Sequence, residues 1–192
     1  MIIRLEKEWD MALKEAIRVV KNKGVFIYPT DTVYGIGGNA FSKEVVERIN
    51  KIKGRERKPY SVLVGNLEMV IRYFEVGDYL NYITQYLPGP YTFLLKPKIK
   101  MAVSNDLVGL RVPDHYFIRK VSIESGLPII TTSANKSGER PPSSIDEIDE
   151  SIIKSVDLVI DGGESKHKEP STVVDLINKK ILRQGAGLFK FQ

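Results

Sequence analysis

The sequence predicts an α/β fold in which helices flank a twisted sheet of mixed parallel and antiparallel strands. Amphipathic helical segments alternate with short apolar segments typical of buried strands through much of the 192 residues. The last strand-like segments are closely spaced, which predicts hairpins among them rather than a purely parallel sheet. The length fits one domain over residues 1–192, and no repeat or linker interrupts it.

Helix and strand signals alternate in the first third of the chain. Residues 10–22 carry apolar side chains at helical spacing, and Gly24 is a natural stop for that helix. Residues 25–28 are apolar and predict a short buried strand that leads into a polar turn. Ser42 is suited to cap the start of the next helix, and Gly54 is suited to end it.

The same alternation continues to the end of the chain. Residues 67–87 predict one or two helices, which the turn Pro88-Gly89-Pro90 ends. Further helices are predicted at residues 115–125 and 145–156. The remaining strands are predicted at residues 60–64, 91–96, 108–112, 128–132, 158–161, 172–176 and 181–183.

The composition excludes several kinds of site. The chain has no cysteine and two histidines, His115 and His167, which excludes disulfides and cysteine-based zinc sites and argues against a histidine-rich metal site. Residues 1–23 mix charged with apolar residues, so we expect a soluble, cytoplasmic protein that does not bind membranes. The net charge of +5 favours anionic partners such as nucleotides or RNA.

A glycine-rich segment follows the first predicted strand. Residues 28–38 read YPTDTVYGIGG, which combines two threonine hydroxyls and a carboxylate with three glycines. Glycines allow a ligand to approach the backbone closely, and hydroxyls offer directional hydrogen bonds. The alternative is a simple Asp/Thr turn with glycines for tight packing.

A basic segment, KIKGRERK, spans residues 51–58 at the end of the second predicted helix. Gly54 lets the chain turn, so Lys53 and Arg55 can converge on one anion, which suits a polyphosphate. The sequence lacks a GxxxxGK[ST] motif, so side chains would have to bind any triphosphate. The alternative is a solvated cationic helix end that stabilises the helix dipole.

Three later segments are also candidate ligand contacts. Residues 130–144, ITTSANKSGERPPSS, place hydroxyls where a strand ends, although serine and asparagine there often form self-bonded turns. Arg111 in LRVPDH and Arg183 in LRQG lie in otherwise apolar strands. A buried arginine is costly unless it meets an anion, which can be a ligand or a carboxylate of the protein. Residues 171–175, STVVD, are the last candidate segment, and they precede Arg183 in the chain.

Taken together and in this order, the segments resemble the YrdC-like family of threonylcarbamoyl-AMP synthases from Ile27 to Gly185. The family signature pairs Lys-x-Arg with Ser-x-Asn, which here are Lys53 with Arg55 and Ser133 with Asn135. The resemblance implies a YrdC/RibB-like mixed sheet with a concave basic surface. It also implies the short form of the family, which has one domain.

The resemblance further implies a role for eleven residues. Lys53 and Arg55 would be catalytic, stabilising charge on the phosphates. The positions matching threonine contacts are Thr32, Arg111, Thr131 and Ser171. The positions matching the nucleotide site are Arg55, Lys58, Ser133, Asn135, Ser143 and Arg183. Longer members carry a histidine that contacts threonine a few residues after the proline that matches Pro59. Residues 58–64 here read KPYSVLV, so that contact has no counterpart.

By the same resemblance, L-threonine and bicarbonate or carbon dioxide would form a carbamate that attacks the α-phosphorus of ATP. Pyrophosphate would leave, and the product would serve the threonylcarbamoyladenosine modification of tRNA beside the anticodon. Mg²⁺ would accompany the ATP phosphates. Separate transferase proteins would deliver the product to tRNA.

Two other functions remain open at this stage. A basic concave face also suits a module that binds tRNA or double-stranded RNA without synthase activity. A related enzyme that handles another carbamoyl group would share the fold. Salt-sensitive RNA binding without threonine-dependent ATP cleavage would favour the first, and substrate profiling separates the synthase from the second.

Overall fold

The computed structural model describes residues 1–54, 59–103 and 106–191. The strands in this part of the chain are β1 (Ile2–Arg4), β2 (Phe26–Tyr28), β3 (Gly35–Gly37), β4 (Ser61–Leu63), β5 (Tyr91–Leu95), β6 (Val108–Arg111), β7 (Ile129–Ser133), β8 (Leu158–Asp161), β9 (Thr172–Asp175) and β10 (Lys180–Arg183). The α-helices are α1 (Leu5–Lys21), α2 (Lys43–Lys53), α3 (Leu67–Tyr73), α4 (Leu80–Tyr86), α5 (Tyr116–Ser125) and α6 (Glu150–Ser155).

The described strands form one mixed sheet in the order β1-β8-β2-β3-β7-β4-β6-β5-β9-β10. Four of its pairings are parallel, including β4 with β6 and β5 with β9. The other pairings are antiparallel, and β9 and β10 form a hairpin. The predicted mixed sheet and the late hairpin are therefore confirmed.

Helices cover both faces of this sheet. One hydrophobic cluster packs α1 and α5 against β2 and β8, with Phe26, Phe117 and Ile160 fully buried. A larger cluster includes side chains from α2, α3 and α4, such as Ile49, Val70 and Ile83. Among the described helices, none has the length and apolar character that a membrane crossing requires.

The ends of α2 confirm the sequence prediction in detail. The Ser42 side chain accepts a hydrogen bond from the backbone N–H of Val45, and Gly54 ends the helix at φ 61°. The buried side of α2 includes Val45, Ile49 and, unexpectedly for a charged residue, Lys53. A helix of this kind delivers the lysine ammonium into the interior at its last turn.

Four features differ from the sequence prediction. Strand β1 was not predicted because three residues give too little alternation to recognise, and β3 was read as a glycine-rich turn. Helix α1 begins at Leu5 and has a non-helical residue at Glu8. The helix predicted at residues 145–156 is instead a 3₁₀ turn followed by α6, because Asp149 caps a new helix within it.

Strand β3 depends on glycine because it packs very close to the neighbouring backbone. A Cβ atom added at Gly37 would lie 1.7 Å from the carbonyl oxygen of Ile130 in β7. Tyr28 donates a hydrogen bond from its hydroxyl to the same oxygen, at 2.9 Å. This contact holds the end of β2 and the glycine segment against β7.

We predict that Gly37→Ala destabilises the protein by more than about 3 kcal/mol, because backbone must move to admit the methyl group. Gly126→Ala is the matched control: Gly126 has φ 72° and no atom within 4 Å of an added Cβ. We expect a loss of about 1 kcal/mol there. If chemical denaturation gave the same loss in the free energy of unfolding for Gly37→Ala and Gly126→Ala, the close approach of Gly37 to Ile130 would not constrain the sheet.

Candidate functional site

A polar cavity opens where the ends of several strands meet. Its volume is about 200 Å³, smaller than usual drug-sized ligand sites, so its described walls suit a molecule of amino-acid size. Six of the predicted site residues line it: Thr32, Arg111, Thr131, Ser133, Ser171 and Arg183. They come from the β2–β3 turn, β6, β7, β10 and the segment before β9, so the fold gathers residues that are far apart in sequence.

Arg111 is held at the cavity by a buried ion pair. Its Nη2 atom donates hydrogen bonds of 3.0 Å to Asp31 Oδ1 and of 3.0 Å to the hydroxyl of Thr32. The side chains of Arg111 and Asp31 are 9% and 0% exposed. The carboxylate offsets part of the cost of burying the guanidinium and fixes its direction.

Arg183 approaches the same cavity from the hairpin strand β10. Its Nε and Nη2 atoms donate to the backbone carbonyl of Ser171 at 3.1 and 2.8 Å, and Nη2 also lies 3.3 Å from the Ser171 hydroxyl. The Ser171 and Thr92 hydroxyls are 2.7 Å apart. Ser171 therefore orients Arg183 while its own hydroxyl is held by Thr92.

The two guanidinium groups are close enough to affect each other. Partial burial, and secondly the positive charge of Arg111, lower the pKa of Arg183 below its ordinary value. Asp31 neutralises one of the two positive charges. A negatively charged group placed between the two arginines would relieve their repulsion, so the cavity favours an anion.

Lys53 joins the two halves of the predicted signature. Its ammonium donates hydrogen bonds to the backbone carbonyls of Ser133 and Asn135, the second at 2.6 Å. The side chain is buried, at 3% exposure. Lys53, at the end of α2, is thus in direct contact with the backbone of the Ser-x-Asn motif at the end of β7.

The loop after β7 is fastened at several points. Asn135 Nδ2 donates to the carbonyls of Lys136 and Glu139 at 2.8 and 2.9 Å. Ser143 donates from its backbone N–H and its hydroxyl to Glu147, at 2.6 and 3.0 Å, and these bonds lower the pKa of that carboxyl. Asn135 and Ser143 therefore brace the loop in this structure, and neither lines the small cavity.

Arg55 and Lys58 lie outside the described residues. Pro59, Tyr60 and Ser61 line the cavity. They belong to the KPYSVLV segment, which lacks the histidine expected in longer members of the family. The hydroxyl of Tyr60 donates to Asn50 Oδ1 at 2.7 Å, which ties this wall to α2.

Sequence reasoning missed Asp31 and Thr92 as individual site residues. Asp31 was noted within the YPTDTVYGIGG motif, but its partner Arg111 lies 80 residues away, a distance that local patterns cannot show. Thr92 lies inside the strand YTFLL, where a threonine is typical of a strand and gives no separate signal.

Comparison with known proteins assigns the chain to a family. The model of the Sua5/YciO/YrdC family, described as "Telomere recombination", matches residues 18–185. The chain belongs to this family. A protein of Methanocaldococcus jannaschii named "Putative threonylcarbamoyl-AMP synthase" is 38% identical over 191 residues, which are 97% of this chain and 91% of that protein. The Bos taurus threonylcarbamoyl-AMP synthase is 32% identical over 88% of this chain, which spans 64% of its length.

Solved structures of the Sua5/YciO/YrdC family share the fold. Sua5 of P. abyssi in complex with L-threonine superposes with a TM-score of 0.88 at 29% identity, over 96% of this chain and 57% of that one. YciO of E. coli gives a TM-score of 0.85 at 27% identity, over 97% of this chain and 95% of that one. The predicted mixed-sheet fold of the family is confirmed.

We predict that Lys53→Met lowers the free energy of unfolding by about 2–3 kcal/mol, because it leaves two buried carbonyls without their donor. Amide hydrogen exchange in residues 133–139 should also become faster. Lys51→Met is the control in the same helix, since Lys51 is exposed, and should change stability by less than about 0.5 kcal/mol. If amide hydrogen exchange in residues 133–139 were unchanged in Lys53→Met, the hydrogen bonds from Lys53 would not hold this loop in place.

Proposed function

We propose that this protein synthesises L-threonylcarbamoyl-AMP from L-threonine, bicarbonate or carbon dioxide, and ATP, with release of pyrophosphate. The observation that carries the proposal is that two arginines from distant strands, Arg111 and Arg183, converge with hydroxyls on one small polar cavity. The family membership and the names of the relatives support this reading.

The threonine site is proposed around Arg111. Its guanidinium would bind the α-carboxylate, while the hydroxyls of Thr32 and Thr131 would contact the amine and the side-chain hydroxyl. Ser171, which also lines the cavity, would be a further contact. A site that bonds the substrate hydroxyl discriminates strongly against analogues that lack it, because its own polar groups are then left unpaired.

The nucleotide site is proposed on the adjoining surface. Ser133 and Arg183 line the cavity, as does Pro141 of the loop that Asn135 and Ser143 brace. Arg55 and Lys58 would supply further contacts to the phosphates. The described residues hold no group of three or more His, Asp or Glu side chains suited to a metal ion, so Mg²⁺ would be held mainly by ATP oxygens and water.

The chemistry needs no covalent bond to the protein. The neutral threonine amine adds to carbon dioxide and releases one proton to solvent, which gives a carbamate. A carbamate oxygen then attacks the α-phosphorus as the bond from that phosphorus to the oxygen bridging the β-phosphate breaks, and pyrophosphate leaves. The protein has to hold anionic reactants together and stabilise the charge that moves to pyrophosphate. Arg55 and Lys53 are the proposed catalytic pair.

Lys53 has two of its donors on backbone carbonyls, so we assign it a positioning role as well. Its ammonium contacts the backbone carbonyls of Ser133 and Asn135. The positive charge there would lower the electrostatic cost of bringing phosphates to that loop. In this arrangement Arg55 would make the direct phosphate contact.

In the cell we place the protein in the cytoplasm, where its product would serve threonylcarbamoyladenosine formation in tRNA. Separate transferase proteins would carry out that step. The net charge of +5 is compatible with contact to tRNA or double-stranded RNA, and an RNA-binding module without synthase activity is the outcome that a negative assay would favour.

Mass spectrometry of a reaction with ATP, L-threonine, bicarbonate and Mg²⁺ tests the activity. We expect the mass of threonylcarbamoyl-AMP together with stoichiometric pyrophosphate, and neither product when threonine is left out. With 2-aminobutyrate, which lacks the threonine hydroxyl, we expect kcat/KM at least about 10²-fold lower. ATP cleavage independent of threonine, or none at all, would refute the synthase.

We predict that Arg111→Lys raises the threonine KM about 10-fold and that Arg111→Met raises it about 100-fold, with the ATP KM nearly unchanged. Lysine keeps one charge but loses the planar fork, and methionine loses both. Arg72→Met, at an exposed i,i+4 pair, is the control and should leave both constants unchanged. An unchanged threonine KM in both Arg111 variants would contradict the assignment of the carboxylate to this residue.

A further inference from the structure

Two buried hydroxyls lie side by side in the wall of the cavity. The oxygens of Thr92 and Ser171 are 2.7 Å apart, and the two residues are 3% and 4% exposed. Both residues line the cavity. Each hydroxyl has one proton, and the hydrogen bond between them uses one of the two. The pair therefore keeps one O–H group for a ligand.

The partners of Ser171 indicate which O–H group that is. A hydroxyl oxygen can accept two hydrogen bonds, and the Ser171 oxygen accepts one from Nη2 of Arg183, at 3.3 Å. The Thr92 hydroxyl has no second hydrogen bond among the residues that the structure describes, so its proton is available to Ser171. With both acceptor positions of the Ser171 oxygen filled in this way, its own proton is left for the cavity.

An anionic ligand favours this arrangement over the reverse one. Arg111 and Arg183 both line the cavity and make it attractive for a negative charge. A hydroxyl that donates to an anion forms a stronger hydrogen bond than one that donates to another hydroxyl. When an anion is bound, the Ser171 proton therefore turns to the anion, and Thr92 supplies the proton for the bond between the two hydroxyls.

The backbone around Ser171 is fixed on both sides. The N–H of Thr172 donates to the carbonyl of Pro90 at 2.9 Å, and the carbonyl of Pro170 accepts from the N–H of Ala186 at 3.0 Å. Strands β5 and β9, at whose paired ends the two hydroxyls lie, are hydrogen-bonded in parallel. A ligand can thus reorient the two O–H groups without moving the backbone.

We propose that Thr92 is a positioning residue for the substrate: its hydroxyl donates to Ser171 and so directs the Ser171 proton to a carboxylate oxygen of bound threonine. The order is Thr92, Ser171, ligand. Thr92 acts through Ser171 and does not need to touch the ligand. The inference rests on the proposed function, in which Ser171 contacts threonine, and it makes Ser171 the donor in that contact.

The test compares the steady-state KM for threonine and for ATP in Thr92→Val and Thr92→Ser. Valine keeps nearly the shape of threonine but removes the hydroxyl, so the threonine KM should rise about 5-fold. Serine keeps the hydroxyl, so its threonine KM should stay within about twofold of that of the original protein. The ATP KM should change little in either variant, because the backbone carbonyl of Ser171 still holds Arg183.

Thr84→Val is the matched control for the loss of a threonine hydroxyl. Thr84 is exposed on α4, and its hydroxyl donates to carbonyls of the same helix. Both KM values should be unchanged in this variant.

A double-variant cycle shows whether Thr92 acts through Ser171. Ser171→Ala alone should raise the threonine KM about 10-fold. Once the Ser171 hydroxyl is gone, Thr92 has nothing to position, so Thr92→Val combined with Ser171→Ala should raise the threonine KM no further than Ser171→Ala does. A threonine that only packs in the cavity wall would instead give the product of the two single effects, about 50-fold.

The outcomes separate this inference from the proposed function. The positioning role is wrong, and the synthase stands, if Thr92→Val leaves the threonine KM unchanged, if Thr92→Ser raises it as much as Thr92→Val, or if the effects multiply in the double variant. If Arg111→Met raises the threonine KM and Ser171→Ala does not, the role of Thr92 is also overturned, together with the contact from Ser171. If the original protein forms no threonine-dependent product, the proposed function and this inference both fail.

Discussion

The ion pair between Arg111 and Asp31 is the interaction on which the site depends. Both side chains are buried, and an unpaired guanidinium in that position would be too costly to keep. The Asp31 carboxylate pairs with Arg111 and makes its burial tolerable, while Arg183, which lines the same cavity, keeps its own positive charge. The folded protein thus keeps excess positive charge in a confined space, which an anionic ligand can neutralise.

The geometry of the sheet explains why residues so distant in sequence meet there. Strand β7 pairs with β3 through Thr132 and Ser133 and with β4 through residues 129–131, so it joins the two halves of the sheet. The close contact at Gly37 holds β3 against it. The polar residues at the ends of these strands are then carried to one opening, as expected for sites at the edges of α/β sheets.

Sequence patterns predicted most of the fold because most elements bury an apolar face with helical or strand periodicity. Helix α2 was predicted with both of its ends, since Ser42 and Gly54 have conformational roles that are local. Strands β1 and β3 were not predicted, because pairing with distant strands stabilises them and their own residues do not indicate it. Asp31 was overlooked as a site residue for the same reason: its importance comes from a partner 80 residues away.

The contact between Lys53 and the loop after β7 gives a physical reason for the two signature motifs to act together. The acceptors are backbone carbonyls, so the tie depends on the path of residues 133–135 and not on which side chains they carry. The side chain of Ser133 lines the cavity and that of Asn135 braces the loop, while the lysine fixes the backbone that carries both. Under the proposed function, a lysine used in this way would contribute charge and position at once, because the same ammonium that orders the loop would also make its surface more favourable for phosphate.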